Sequence, residues 1–274
     1  GRQGGGAGAR RCDRAGGRLM ADAALLSRIE DAGLNASAPP QQRWLDGWLV
    51  RFSPGKAKRA RCINAVAEGV LPLEHKLALA EAVFAEAKLP MVVRITRFSK
   101  PAGLDDQLVA LGYRRLDDTR VMVLERLDAV EPPTLPSGWE LRPVALEPFA
   151  QRIGAFRGSS LAQRQAHAER LLGAPVPFQA FELWIEGEAV ACGQMAIEAD
   201  LVGLYDIFTA NEHRGQGHAS LLCRTLLAAA RDRGARHAYL QVEADNAPAR
   251  AVYHRIGFAD GYAYHYRTRD PAAV

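Results

Sequence analysis

A chain of 274 residues with 48% apolar and 24% charged residues has the makeup of a soluble globular protein, long enough for one large or two ordinary domains. No apolar run reaches the roughly 18 residues of a membrane helix, so no membrane partner is expected. The formal net charge of +4 sits in residues 1–19, where five arginines face one aspartate. The remainder is balanced, and the overall basicity implies no nucleic-acid partner.

Residues 1–19, rich in Gly and Arg without an apolar core, read as a disordered leader rather than a signal peptide. Residues 41–128 read as an α/β unit. "RWLDGWLVRFSP" is a strand pattern, and "LPLEHKLALAEAVFAEAKL" is an amphipathic helix with Leu77, Ala80, Val83, Phe84 and Ala87 at helical spacing. "PMVVRIT" is a buried strand, "LDDQLVALGY" a short helix closed at Gly112, and "TRVMVLER" a strand. "EPPTLPSGW" then breaks the periodicity with three prolines and a glycine, which marks a linker over 131–138. This gives an N-terminal domain over 20–130 and a second domain over 139–270.

The second domain opens with the strand "WELRPV" and two helices between Leu146 and Leu172. A three-stranded meander follows over "QAFELWIEGEAVACGQMAIEADLVGLYDIFT". From Gln216 onward Ala219, Leu222, Cys223, Leu226, Leu227 and Ala230 fall on one helical face, and Gly234 stops the helix. The strand "HAYLQVE", the helix "APARAVYHRI" and the strand "GYAYHYR" close the chain. The result is a mixed α/β sheet covered by helices. Both halves end in a helix, an aromatic after glycine (Gly112-Tyr113, Gly257-Phe258) and a strand, which suggests two copies of one unit.

Cys12, Cys62, Cys192 and Cys223 lack paired or metal-ligand spacing, so neither a disulfide nor a metal site is expected, and a reducing cytoplasm is the default. Trp44, Trp48, Trp139 and Trp184 read as core or interface anchors. Tyr262, Tyr264 and Tyr266 alternate along one strand and are expected to pack in the core.

"NEHRGQG" lies between a strand and a helix start, where backbone N–H groups lack partners and the helix dipole is positive. Gly215 and Gly217 suit the backbone to an approaching anion. A nucleoside-triphosphate loop needs Gly-Lys-Ser/Thr, and Lys is absent. A dinucleotide fingerprint needs glycine where Ser220 stands.

Arg214-x-x-Gly217-x-Ala219, followed at the expected distance by Asn246-x-x-Ala249-x-x-x-Tyr253-x-x-x-Gly257-Phe258, resembles the GNAT N-acetyltransferase superfamily over residues 138–268. The resemblance implies the GNAT fold and acetyl-CoA as co-substrate. It implies that Ile207, Phe208 and Thr209 pair with the pantetheine amides. Arg214, Gly215, Gln216, Gly217, His218 and Ala219 would form the pyrophosphate loop. Asn246 and Ala249 would lie beside the pantetheine arm, and Tyr253 would give a proton to the leaving thiolate.

Family members often carry an acidic residue where this chain has Gly203. Asp206 is the nearest carboxylate on that strand, with Asp200 and Glu212 at its ends, and it is the candidate base or ammonium anchor. Cys223, on a buried helix face, is not placed as a nucleophile. His213 and His218 read as surface or helix-start residues.

The N-terminal half lacks the loop motif, and its layout resembles tandem GNAT proteins with a degenerate first half. The expected activity is N-acetylation of a small-molecule or peptide amine by direct transfer, in a monomer or homodimer. A silent acyl-CoA-binding module remains open because of Gly203. An RNA-modifying acetyltransferase remains open through the basic segment "GKAKRAR", whose plainer reading is a solvated turn.

Overall fold

The computed structural model describes residues 21–274, so the expectations for the leader and for Cys12 lie outside the described residues. Helix α1 (Ala23–Ala36), to which the sequence reading assigns nothing, starts at Asp22, whose carboxylate caps the Ala24 N–H. The segment read as one strand is a hairpin, β1 (Gln42–Leu45) and β2 (Trp48–Arg51). Asp46 and Gly47 both have positive φ, at 44° and 81°, as a two-residue Asp-Gly turn requires. The turn sends Trp48 fully into the core while Trp44 stays 64% exposed, so Trp44 is not a core residue.

Next come β3 (Ile63–Asn64), α2 (Leu73–Glu86), β4 (Val93–Thr96), α3 (Leu104–Ala110) and β5 (Arg114–Leu124). After a segment without helix or strand over 131–138 follow β6 (Trp139–Val144), α4 (Leu146–Phe156), α5 (Leu161–Leu172), β7 (Phe178–Ile185) and β8 (Glu188–Glu198). The chain closes with β9 (Leu201–Thr209), α6 (His218–Arg231), β10 (His237–Glu243), α7 (Ala247–Ile256) and β11 (Ala259–Thr268).

The described strands form one mixed sheet of order β1-β2-β3-β4-β11-β5-β10-β9-β8-β7-β6. The last strand of each half has crossed over. β5 lies antiparallel to β10, and β11 lies antiparallel to both β4 and β5. Packing reinforces the crossing. Arg94 of β4 donates to Glu30 of α1 at 3.1 Å, and the Tyr262 hydroxyl of β11 donates to the same carboxylate at 2.6 Å. Tyr262, Tyr264 and Tyr266 are all buried, as their alternation implies.

The expected face of α6 is buried through Leu222, Cys223, Leu226, Leu227 and Ala230 against the strands around β8–β10. This pins the helix start over the end of β9.

Candidate active site

β9 and β10 are parallel and paired only from Leu201–Leu204 against His237–Leu240. Beyond Leu204 and Leu240 they part and leave a V-shaped opening. On its other edge β9 stays bound to β8 but gains one residue there. Cys192 faces Phe208 and Gln194 faces Tyr205, so Asp206 and Ile207 together oppose Gly193. Asp206 takes φ 50°, a left-handed conformation that aspartate tolerates better than most residues. A Cβ on Gly193 would lie 2.5 Å from Ile207 Cδ1, so a larger residue opposite the bulge would have to shift that side chain.

Past the bulge, Ile207, Phe208 and Thr209 run to the loop that enters α6. Gly215 and Gly217 take φ 77° and 84°, and a Cβ on either would meet open space. Their glycines serve the left-handed turn rather than relieve crowding. Gly217 caps α6 without a side-chain hydrogen bond, so the first N–H groups from Gln216 to Ala219 keep their capacity for an anion. Arg214 is tied back to the strand, with Nε donating to the Thr209 carbonyl at 3.3 Å and the guanidinium 5.5 Å from the Phe208 ring centre.

His218 does start the helix, but it is buried rather than at the surface. Its ring lies 5.1 Å from Trp139, and neither ring nitrogen has a hydrogen-bond partner among the described residues. Burial, with His213 nearby, lowers its pKa. Across the opening, Asn246 caps α7 by accepting from the Ala249 N–H at 3.2 Å. On that helix Tyr253 packs beside Phe258. Burial, with Cys223 close by, raises the Tyr253 hydroxyl well above the ordinary tyrosine value, so it stays protonated at neutral pH. The Cys223 thiol is buried and pushed up to about 12, which suits packing and not nucleophilic attack.

The bulge borders a cavity of about 380 Å³ between the halves, large enough for a small molecule. Asp206 lines it, already engaged. Arg157 Nη1 and Gln194 Nε2 each donate to its carboxylate at 2.7 Å, and His167 Nε2 lies 3.2 Å away. Burial alone would raise this carboxyl, but His167 and Arg157 outweigh it and hold the group far below the usual carboxylate range. Such a group anchors charge well and accepts protons poorly.

Gly203 is filled by its neighbours. A Cβ there would lie 2.5 Å from Tyr205 and 2.6 Å from Tyr239, whose hydroxyls are hydrogen-bonded to each other at 2.7 Å. Asp200 pairs with Arg28 at the far end of β9 and Glu212 is exposed, and neither lines the cavity.

The sequence reading missed Glu243. It ends β10, lines the cavity, and makes no ion pair or side-chain hydrogen bond among the described residues. Its place in "LQVEADN", three residues before the cap Asn246, was the available signal. Arg157, directly after α4, and His167 and Arg170 of α5 also line the cavity, and no motif marks them. The basic segment is no plain solvated turn either. Lys58 pairs with Asp117 at 2.9 Å, while Lys56 and Arg59 reach the cavity.

Residues 143–258 match the acetyltransferase (GNAT) family. The chain is 28% identical over 239 residues to the uncharacterized N-acetyltransferase YobR of Bacillus subtilis (strain 168), across 83% of this chain and 92% of that one. A 54-residue segment, 20% of this chain and 29% of the relative, is 48% identical to streptothricin acetyltransferase of Streptomyces lavendulae. In fold the chain is similar to a GCN5-related N-acetyltransferase from Kribbella flavida, with a TM-score of 0.65 at 18% identity, covering 93% of this chain and 97% of that one. It is also similar to a tandem GNAT protein from the clavulanic acid biosynthesis pathway, with a TM-score of 0.58 at 16% identity, over 73% and 70% of the two chains.

Proposed function

We propose that this chain, a GNAT-family protein of tandem fold, is an acetyl-CoA-dependent N-acetyltransferase acting on a primary amine. Residues 139–270 bind the co-substrate and the degenerate half at 20–130 helps wall the acceptor cavity. The observation that carries the reading is the parting of β9 and β10 directly before an uncapped helix start. An extended pantetheine arm fits such an opening as a third strand, on the free edge of Ile207–Thr209. The N–H groups of Gln216–Ala219 suit a pyrophosphate. Acetyl-CoA supplies an activated thioester carbonyl.

In this reading the residues divide the work as follows. The acceptor nitrogen attacks the carbonyl carbon as the free amine, and its proton passes to Glu243, the unengaged carboxylate at the cavity. Asp206 holds Arg157 and His167 in place and supplies negative charge for the incoming ammonium. The N–H groups at the bulge, which have no register partner on β8, receive the oxyanion. As the C–N bond forms and the C–S bond breaks, Tyr253 gives its proton to the thiolate.

Thiol release from acetyl-CoA with a panel of amines tests this. Tyr253→Phe is expected to lower kcat on the order of 10²-fold, and Glu243→Gln to weaken the rise of kcat/KM with pH. Unchanged turnover in both variants would contradict the assignment. The saturated Asp206 and the crowded Gly203 favour one second reading, a binding module without turnover. Acetyl-CoA that binds while no amine is acetylated would support it.

A further inference from the structure

The cavity's charges do not balance. Arg157 is answered by Asp206 at 2.7 Å. What remains at the cavity is Lys56, Arg59 and Arg170 against Glu243. Neither the Arg59 nor the Arg170 guanidinium makes a hydrogen bond or ion pair among the described residues. Arg59 lies 6.0 Å from the centre of the Tyr205 ring, and its Nη1 is sealed from solvent without a partner. Arg170 rises from the last turn of α5, on the opposite wall. Burial lowers the Arg170 pKa, Asp206 only partly offsetting it, as expected of a cation without its own counter-ion. Burial opposes the Arg59 charge as well, but Tyr264, Tyr266, Tyr205 and Asp206 outweigh it and raise its pKa; its sealed Nη1 still lacks an acceptor, which is costly unless an anion completes it.

We infer that the acceptor is an amine that also carries an anionic group, carboxylate or phosphate, and that Arg59 of the N-terminal half and Arg170 of the C-terminal half hold that group. The inference rests on the acetyltransferase reading and narrows its substrate class. It also gives the N-terminal half a role. The segment "GKAKRAR" brings one arm of an anion clamp to a cavity whose other wall comes from α4 and α5. Guanidinium groups suit the purpose, since their planar donors match two oxygens of a carboxylate or phosphate at once. A zwitterionic acceptor then lies with its anion between the arginines and its nitrogen toward Glu243.

The test uses matched pairs that differ in the anion alone. L-α-amino acids are compared with their carboxamides for the carboxylate arm, and O-phosphoethanolamine with ethanolamine for the phosphate arm. Calorimetric titration of the full chain with acetyl-CoA present reads binding, and thiol release reads turnover. In at least one arm the anionic member is expected to bind about tenfold tighter, equivalent to ~1.4 kcal/mol. Arg170→Gln and Arg59→Gln are expected to remove that preference through KM rather than kcat, with Arg170→Lys retaining part of it. Acetyl-CoA affinity of the variants, measured alone, reports whether they fold. Neutral members that bind as well as anionic ones, or a preference that survives in both folded variants, would overturn the inference while leaving the acetyltransferase reading intact. Failure to bind acetyl-CoA at all would instead overturn that reading.

Discussion

Gly203 and Asp206 stand three residues apart on β9 and carry opposite lessons. The carboxylate expected at position 203 from the resemblance is absent, and two tyrosines occupy its space. A side chain at 203 would drive into the Tyr205–Tyr239 hydroxyl pair, inside van der Waals distance of both rings. Gly203→Glu is therefore expected to lower stability by about 1–3 kcal/mol through overpacking and to leave turnover no higher. Denaturant unfolding together with thiol release checks both points, and a stable, faster variant would show that the strand tolerates a base there. Asp206 was legible as a carboxylate at the right place, but its partners were not. Arg157 and His167 lie 49 and 39 positions away, directly after α4 and on α5, where the sequence carries no motif, and only the fold brings them to the bulge. The same holds for Glu243, which reads as an ordinary strand-end residue until β10 is seen to part from β9.

Most elements were legible because their periodicities are local. The inward face of α6, the alternating tyrosines of β11 and the cap at Asn246 follow from spacing alone. The β1–β2 hairpin was missed although Asp46-Gly47 is a strong turn signal, because the apolar residues on both sides read as one run.

The attachment of β11 was not legible, since it depends on residues far apart in sequence. Asp105 of α3 accepts from Arg267 Nε at 2.7 Å and lies 2.9 Å from His265 Nε2, both on β11. The Arg267 hydrogen bond, aided by His265, lowers the Asp105 carboxyl to about 2, against about 3.9 in an unfolded chain. A depressed carboxyl contributes stability that is complete above about pH 4 and is lost as pH falls through about 2. With a third of the side chain exposed, the contribution is discounted to about 1 kcal/mol. Denaturation midpoints of wild type and Asp105→Asn should differ at pH 6 and converge near pH 2. A gap that stays constant across that range would show that the pair does not secure the strand.

At the scale of the whole molecule, the crossing of β5 and β11 joins two similar halves into one sheet, so the linker at 131–138 does not separate two independent sheets. The crossing also sets the cavity between the halves, one wall from residues 53–60 and the other from α4 and α5. A sequence reader sees two repeats and one loop motif. The shared cavity appears only when the halves are closed on each other. The loop occurs once, at the start of α6, and the N-terminal half offers no equivalent. Among the described residues no helix is long and apolar enough to cross a membrane.

Everything proposed for this chain depends on its binding acetyl-CoA. Calorimetric titration of the full chain with acetyl-CoA is expected to show one site per chain, weakened at least tenfold by Gly217→Val, which cannot adopt the left-handed turn without strain. No binding, two sites per chain, or binding indifferent to Gly217→Val would contradict it.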